Sequence, residues 1–148
     1  MKFVYYIVFA SWYVLSLLPL RVLYVVSDIL YLPLFYCIRY RRHIVHSNLK
    51  ASFPEKSESE ILHIEKQFYH FFCDYVVETI KLFSISKKEM MRRMSFSGLD
   101  RVQEELEREQ KKYCFIYLGH YCNWEYVASM QYWFPDIHCG QIYHPLYN

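Results

Sequence analysis

The chain has 148 residues, of which 54% are apolar and 20% aromatic, with 16 Tyr and 11 Phe against 3 Gly. That aromatic weight fits a membrane-associated protein better than an ordinary soluble domain, and the length allows about one domain with a self-supporting core. With 17 basic and 15 acidic side chains the net charge is only +2, which excludes the broad basic field of a nucleic-acid-binding protein.

From Phe3 to Leu20 the sequence carries no charge over 18 residues. That is about 27 Å of helix, close to a hydrocarbon core of about 30 Å, and it predicts one membrane span. A second apolar run, Val22–Ile38, follows Arg21 and contains Asp28 and Pro33. It reads best as an interfacial segment, with a half-span or the extension of a tilted helix as alternatives. A cleaved signal peptide fits less well, because the apolar region is long, only Lys2 precedes it, and no small-x-small cleavage site is evident.

Arg39, Arg41 and Arg42 then mark the cytoplasmic side of a membrane exit. Residues 1–42 thus read as a membrane anchor, a transmembrane helix plus an interfacial segment, and residues 43–148 as a cytoplasmic part. The five cysteines, Cys37, Cys73, Cys114, Cys122 and Cys139, are odd in number, scattered and without a C-x-x-C pair. A reducing compartment is the simpler setting for them.

Pro54 and the polar run EKSESE separate the anchor from a long periodic segment, and Ser57 with Glu60 forms an S-x-x-E capping box that starts a helix near residue 58. Ile61, Ile64, Phe68, Phe71, Tyr75 and Leu82 recur every three or four residues and predict one apolar stripe on it. Glu78 falls on that stripe, either at the edge of the buried face or as a paired carboxylate near a site, since burying it alone is costly. Ser86 and Glu89 repeat the capping pattern before a short basic helix. MSFSG reads as a short strand, and Asp100 with Gln103 caps a charged helix running to about Gln110.

YCFIYLG, from Tyr113, is the clearest buried strand, a continuous apolar run that ends at Gly119. Asn123 caps a further helix that stops before Pro135, and IHCGQIY reads as a third strand. Strand, helix, strand, helix, strand predicts an α/β domain with a largely parallel sheet. Three strands leave an open edge, so the chain is expected to be the N-terminal part of a larger protein.

The segment GHYCNWE, residues 119–125, lies at the junction between the best strand and the following helix. On one continuous helix His120 and Glu125 would stand about 140° apart, so they meet only if His120 is in the loop and Glu125 in the first turn. A carboxylate on one imidazole nitrogen fixes the tautomer and leaves the other nitrogen to take a proton, which makes His120 a candidate general base. By itself the H-x4-E spacing is a weak signal.

With NLKASFPEKS (48–57), VVETIK (76–81), FSGLDRV (96–102), GHYCNWE (119–125) and IYHPLYN (142–148) in this order after an apolar anchor, the chain resembles the late acyltransferases of lipid A biosynthesis, the lauroyl and myristoyl transferases. The resemblance covers most of residues 43–148. It implies a partial α/β acyltransferase domain at the bacterial inner membrane, facing the cytoplasm. It also implies His120 as base and Glu125 as its orienting acid, an acyl carrier protein thioester as donor, and a hydroxyl of a lipid A precursor or related glycolipid as acceptor. No metal or other cofactor is implied. The family commonly has Arg where this chain has His144, which exchanges a permanent charge for a pH-dependent one, and members continue for a comparable length, including a downstream Arg.

Other residues carry weaker readings. Glu78, Asn123, His144, Arg41 and Arg42 are candidate substrate contacts, although Asn123 also fits a helix cap and the arginines fit a positive-inside anchor. His138 beside Cys139 does not make a zinc pair, because neighbours on a strand point to opposite faces. Cys122 has no evident base of its own to make it an acyl-accepting thiol. Two other functions remain open at the level of sequence: a catalytically inactive membrane-anchored fragment that binds lipid or a partner, and a membrane lipid hydrolase in which the same pair activates water.

Overall fold

A computed structural model describes residues 2–134, 138–140 and 142, and among these residues the chain forms six α-helices, one π-helical segment and one 3₁₀ helix. They are α1 (Lys2–Ser16), α2 (Leu20–Leu32) with a π-helical extension (Pro33–Ile38), α3 (Arg42–Ser52), α4 (Glu58–Lys81), α5 (Lys87–Arg93), α6 (Leu99–Arg108) and the 3₁₀ helix Trp124–Tyr132. The chain divides into two compact units, one ending at Ser84 and the other beginning at Ile85.

In the first unit, local chemistry sets the helix limits. Pro19 has no N–H to continue a helix, so the uncharged run from Phe3 to Leu20 is broken after Ser16 and α2 begins at Leu20. Carbonyls at and just beyond the end of α1 are satisfied from the end of α4 and the turn after it: Lys81 Nζ donates to Ser16 O at 2.7 Å and Leu18 O at 3.0 Å, and Ser84 Oγ donates to Ser16 O at 2.5 Å. A cation at a helix C-terminus also complements the helix dipole. Pro33 does not end α2; the helix widens into a π turn there and stops where Arg39 takes a left-handed conformation, φ 52°. Leu20–Ile38, 19 residues, is long and apolar enough to cross a membrane by length and composition, and Val4–Ser16 is a shorter apolar helix.

The capping box reads directly from the structure. Ser57 Oγ accepts from Glu60 N while the Glu60 carboxylate accepts from Ser57 N at 2.9 Å, and α4 starts at Glu58. The buried row of α4 is Ile61, Glu65, Tyr69, Cys73, Val77 and Ile80. Of the stripe expected from periodicity only Ile61 belongs to it, and Phe68 and Phe71 are 39% and 42% exposed. A row with four-residue steps rotates by about 40° per step around a helix with 3.6 residues per turn, and along it Glu65 meets α3, Asp74 and Glu78 meet α2, and Lys81 meets the end of α1. A fixed stripe cannot serve all of these neighbours. One cluster joins Tyr31, Phe35, Tyr69 and Cys73, and a second joins Leu20, Leu23 and Val77. Burial raises the Cys73 thiol above its usual range, which leaves it a small apolar filler.

Between these helices the polar groups are matched. Tyr24 Oη donates to Glu78 at 2.6 Å, Ser27 Oγ donates to Asp74 at 2.6 Å, and the His70 ring lies 3.6 Å from that of Tyr31, centroid to centroid. Tyr69 Oη donates to the Tyr40 carbonyl. Glu65 is fully buried, yet its carboxylate accepts from Arg42 Nε at 2.5 Å and pairs with His46 Nδ1 at 3.1 Å. The Arg42 guanidinium also lies 4.3 Å from the centre of the Phe35 ring.

In the second unit Ser86 Oγ accepts from Glu89 N and opens α5, as the capping pattern predicts. Gly98, not Asp100, occupies the N-cap of α6; its φ of +79° is one that glycine adopts without strain. The 3₁₀ helix packs on α5, with Met90 and Tyr126 buried and Lys87 Nζ 5.2 Å from the Tyr132 ring centre. Trp133 meets Phe96 edge-on, with their ring centres 5.1 Å apart.

The expected α/β domain with a largely parallel sheet is overturned. Helices make up 69% of the structure, and no strand occurs among the described residues. A strand is held by the ladder on its neighbour, not by its own apolar content. Met94–Gly98 is irregular chain leading into α6, and IHCGQIY falls partly outside the described residues. YCFIYLG therefore has no ladder to join among them. It runs as irregular chain with Tyr113, Phe115 and Tyr117 at 83%, 76% and 92% exposure.

Candidate active site

Three residues separate His120 from the start of the 3₁₀ helix at Trp124, and the turn is tight. Tyr121 N donates to Gly119 O at 2.9 Å, Cys122 takes a left-handed φ of 50°, and Tyr126 N donates to Asn123 O at 3.2 Å to begin the helix. The reversal brings the His120 ring against that of its neighbour Trp124, 4.5 Å between centroids with a 36° tilt. Both His120 and Glu125 are exposed. Glu125 sits in the first turn of the 3₁₀ helix, where the partial positive charge of a helix N-terminus favours a carboxylate.

The loop-then-helix arrangement that the five-residue offset requires is thus present, with a 3₁₀ helix in place of an α-helix. The tilted indole narrows the orientations open to the imidazole, while the residue as a whole stays exposed. Such a group can accept a proton from a hydroxyl brought to it. Among the described residues no three His, Cys, Asp or Glu side chains gather as a metal site would require.

The other sequence candidates lie as follows. Asn123 occupies the N-cap of the 3₁₀ helix, without a side-chain capping bond. Glu78, in the first unit, is half-buried and accepts from Tyr24. Arg42 is committed to Glu65, whereas Arg41 is exposed and left-handed, φ 52°. His144 lies outside the described residues.

Sequence reasoning passed over Glu65. The signal was present: a carboxylate four residues from both Ile61 and Tyr69, on a helix preceded by a basic segment with Arg42, His46 and Lys50. On the exposed side of the same helix pair, Glu58 is bonded to Lys50, and this bond first, with the nearby His46, holds its carboxyl below the usual range.

No curated protein and no solved structure matches the chain. A family model does: the one described as bacterial lipid A biosynthesis acyltransferase matches residues 1–132, a stretch that includes α1–α6, His120, Glu125 and the 3₁₀ helix. The chain belongs to the bacterial lipid A biosynthesis acyltransferase family.

Proposed function

We propose that the chain transfers a fatty acyl group from an acyl carrier protein thioester to a hydroxyl of a lipid A precursor or related glycolipid, at the cytoplasmic face of the inner membrane, with His120 as general base. The observation that carries this reading is an exposed histidine at a loop-to-helix junction, with Glu125 in the first turn, inside the stretch matched to an acyltransferase family.

His120 takes the proton of the acceptor hydroxyl as its oxygen attacks the thioester carbonyl. Hydrogen-bond donors stabilise the oxyanion of the tetrahedral intermediate. The intermediate collapses by breaking the C–S bond, and the imidazolium returns its proton to the leaving thiolate, giving an ester and a free carrier thiol. Glu125 orients the imidazole and stabilises its charged form. Direct transfer of this kind needs no metal or prosthetic group. Arg41, exposed at the end of the apolar region, fits an acidic carrier protein or a headgroup phosphate, and Glu78, Asn123 and His144 are weaker candidates for contacts with substrate.

The test is to incubate the purified protein with a labelled acyl carrier protein thioester and a lipid A precursor, and to separate the products. Acylated lipid that disappears in His120→Ala supports the proposal. Free fatty acid in place of acylated lipid would make the chain a hydrolase, and neither product would return it to a lipid-binding role.

A further inference from the structure

We propose that α2 lies in the plane of the membrane surface, with its Val22, Val25, Ile29 and Leu32 face sunk into the acyl chains of one leaflet and its opposite face held by α4, so that it does not cross the bilayer. The inference rests on the membrane location in the functional reading above but not on the catalytic chemistry.

Length and composition allow Leu20–Ile38 to span; its polar pairing with α4 argues against it. Tyr24, Ser27 and Tyr31 of α2 meet Glu78, Asp74 and His70 of α4. Residue numbers rise along one helix as they fall along the other, so the two helices run antiparallel through this region. If Leu20 and Ile38 lay at the two bilayer surfaces, Ser27 would sit within about 3 Å of the midplane at 1.5 Å per residue. The Asp74 carboxylate would be there with it, and Lys66 and Glu78 of α4 would also lie at hydrocarbon depth. His70 and Asp28 lie 4.0 Å from each other, Nδ1 to Oδ1, and are 50% and 73% exposed, so this pair would face lipid and not a protein interior. Ionisable groups at such depth are tolerated when they face a bundle interior or a water-filled cavity.

In-plane placement removes the conflict. At 100° per residue Val22, Val25, Ile29 and Leu32 share the side of α2 opposite Leu20, Leu23, Ser27 and Tyr31, and they are 43%, 57%, 63% and 56% exposed. Arg21 and Asp28 lie together along one edge of that apolar face, and α4 with its charges covers the other side. A helix with one apolar face and charges at its margin is the form that beds in a membrane interface. Exposed Arg21 at one end and Arg39 and Arg41 at the other suit a leaflet with anionic phosphate headgroups. Tyr36 and Tyr40, 52% and 46% exposed beside those arginines, suit the same depth, where aromatic rings with polar tips collect.

Depth measurement decides the question on the full chain. Exposed Cys37, Cys114, Cys122 and Cys139 are replaced by serine, buried Cys73 is kept, and nitroxides are attached at Val22→Cys or Leu32→Cys. Each protein is reconstituted into vesicles of phosphatidylethanolamine and phosphatidylglycerol, and collision rates with oxygen and with a water-soluble nickel complex give the depth of each label. In-plane α2 gives two labels at the same depth within one leaflet. A spanning α2 sets the two labels about 15 Å apart along the normal and on opposite sides of the midplane, so that they read about 3 Å and about 9 Å below the nearer surface, and that inequality overturns the inference while leaving the membrane location intact. Two labels in water, on protein that does not float with vesicles, overturn both.

Discussion

The two units of this chain solve different problems with the same building blocks. In the first, α2, α3 and α4 enclose polar groups, and the groups they enclose are answered: Glu65 by Arg42 and His46, Asp74 by Ser27, Glu78 by Tyr24. In the second, the residues with a chemical reading lie on exposed chain, His120 in a turn and Glu125 at a helix start. On the proposed mechanism the contrast assigns stability and reactivity to separate side chains. Substitutions in the first unit should therefore appear as changes in melting, and those at residues 120 and 125 as changes in rate.

The largest effect is expected at His120. His120→Ala should slow acyl transfer by about 10² to 10⁴-fold, the usual worth of a general base, while the thermal midpoint stays within error because the ring is exposed. Glu125→Gln should also be slow, since an amide can orient the imidazole but cannot stabilise its cation. If the two act as one unit the double variant is little worse than His120→Ala. A His120→Ala protein that turns over normally would end the mechanism, and one that fails to fold would break the division between the two units.

Next comes the buried carboxylate. Removing one partner of a buried ion pair costs about 3 to 5 kcal/mol when the other charge is left stranded. Arg42→Met leaves the fully buried Glu65 with His46 in place of two partners and should cost up to the lower end of that range, with the thermal midpoint falling accordingly. Glu65→Gln should cost less, because Arg42 and His46 are 29% and 35% exposed and can turn to water. Equal losses from the two variants would show that the charge on Glu65 is not what the site protects.

Smaller again is the helix start. Ser57→Ala removes the acceptor for Glu60 N and should cost about 1 kcal/mol, read as a lower midpoint with no change in the rate per folded molecule. A loss of rate without a loss of stability would place α4 in the chemistry after all.

How much of this was legible in the sequence follows the range of the forces involved. The starts of α4 and α5 were legible because a cap is written within four residues, Ser57 with Glu60 and Ser86 with Glu89. The helix start after Asn123 was legible in place but not in kind, since Asn123 makes no side-chain capping bond and the helix is 3₁₀; the family was legible because its motifs are local. The buried row of α4 was not, since two apolar stripes are available on that helix and the choice falls to α2 and α3, distant in sequence. Periodicity selected Phe68 and Phe71, which face outward, over Glu65, which faces in. The sheet failed for a related reason: the apolar run from Tyr113 to Leu118 reads as a strand, but no neighbour pairs with it among the described residues.

The smallest expected effect sharpens the comparison inside the first unit, between its buried carboxylate and an exposed one. Glu58 is bonded to Lys50, and that bond together with the charges of Lys50 and His46 holds its carboxyl below the usual carboxylate range. A group whose folded pKa is depressed contributes stability that is present above the unfolded value, about 4.3 for glutamate, and lost as pH falls through the folded value. The thermal midpoint should therefore decline on acidification below about pH 4.3, and less steeply in Lys50→Met, where Glu58 no longer has the partner that depresses it. The comparison with Lys50→Met is needed because Glu60, bonded to Ser57, and Glu89, bonded to Arg92 and Arg93, are depressed too and add slopes of the same sign. Salt should shrink the difference between the two proteins, because both charges are in solvent and are screened there. The Arg42–Glu65 pair, closed off from water on the acid's side, should keep its effect in the same salt. Parallel acid slopes in the two proteins would mean that the Lys50–Glu58 contact carries no stability, leaving Glu65 as the acid that ties α3 to α4.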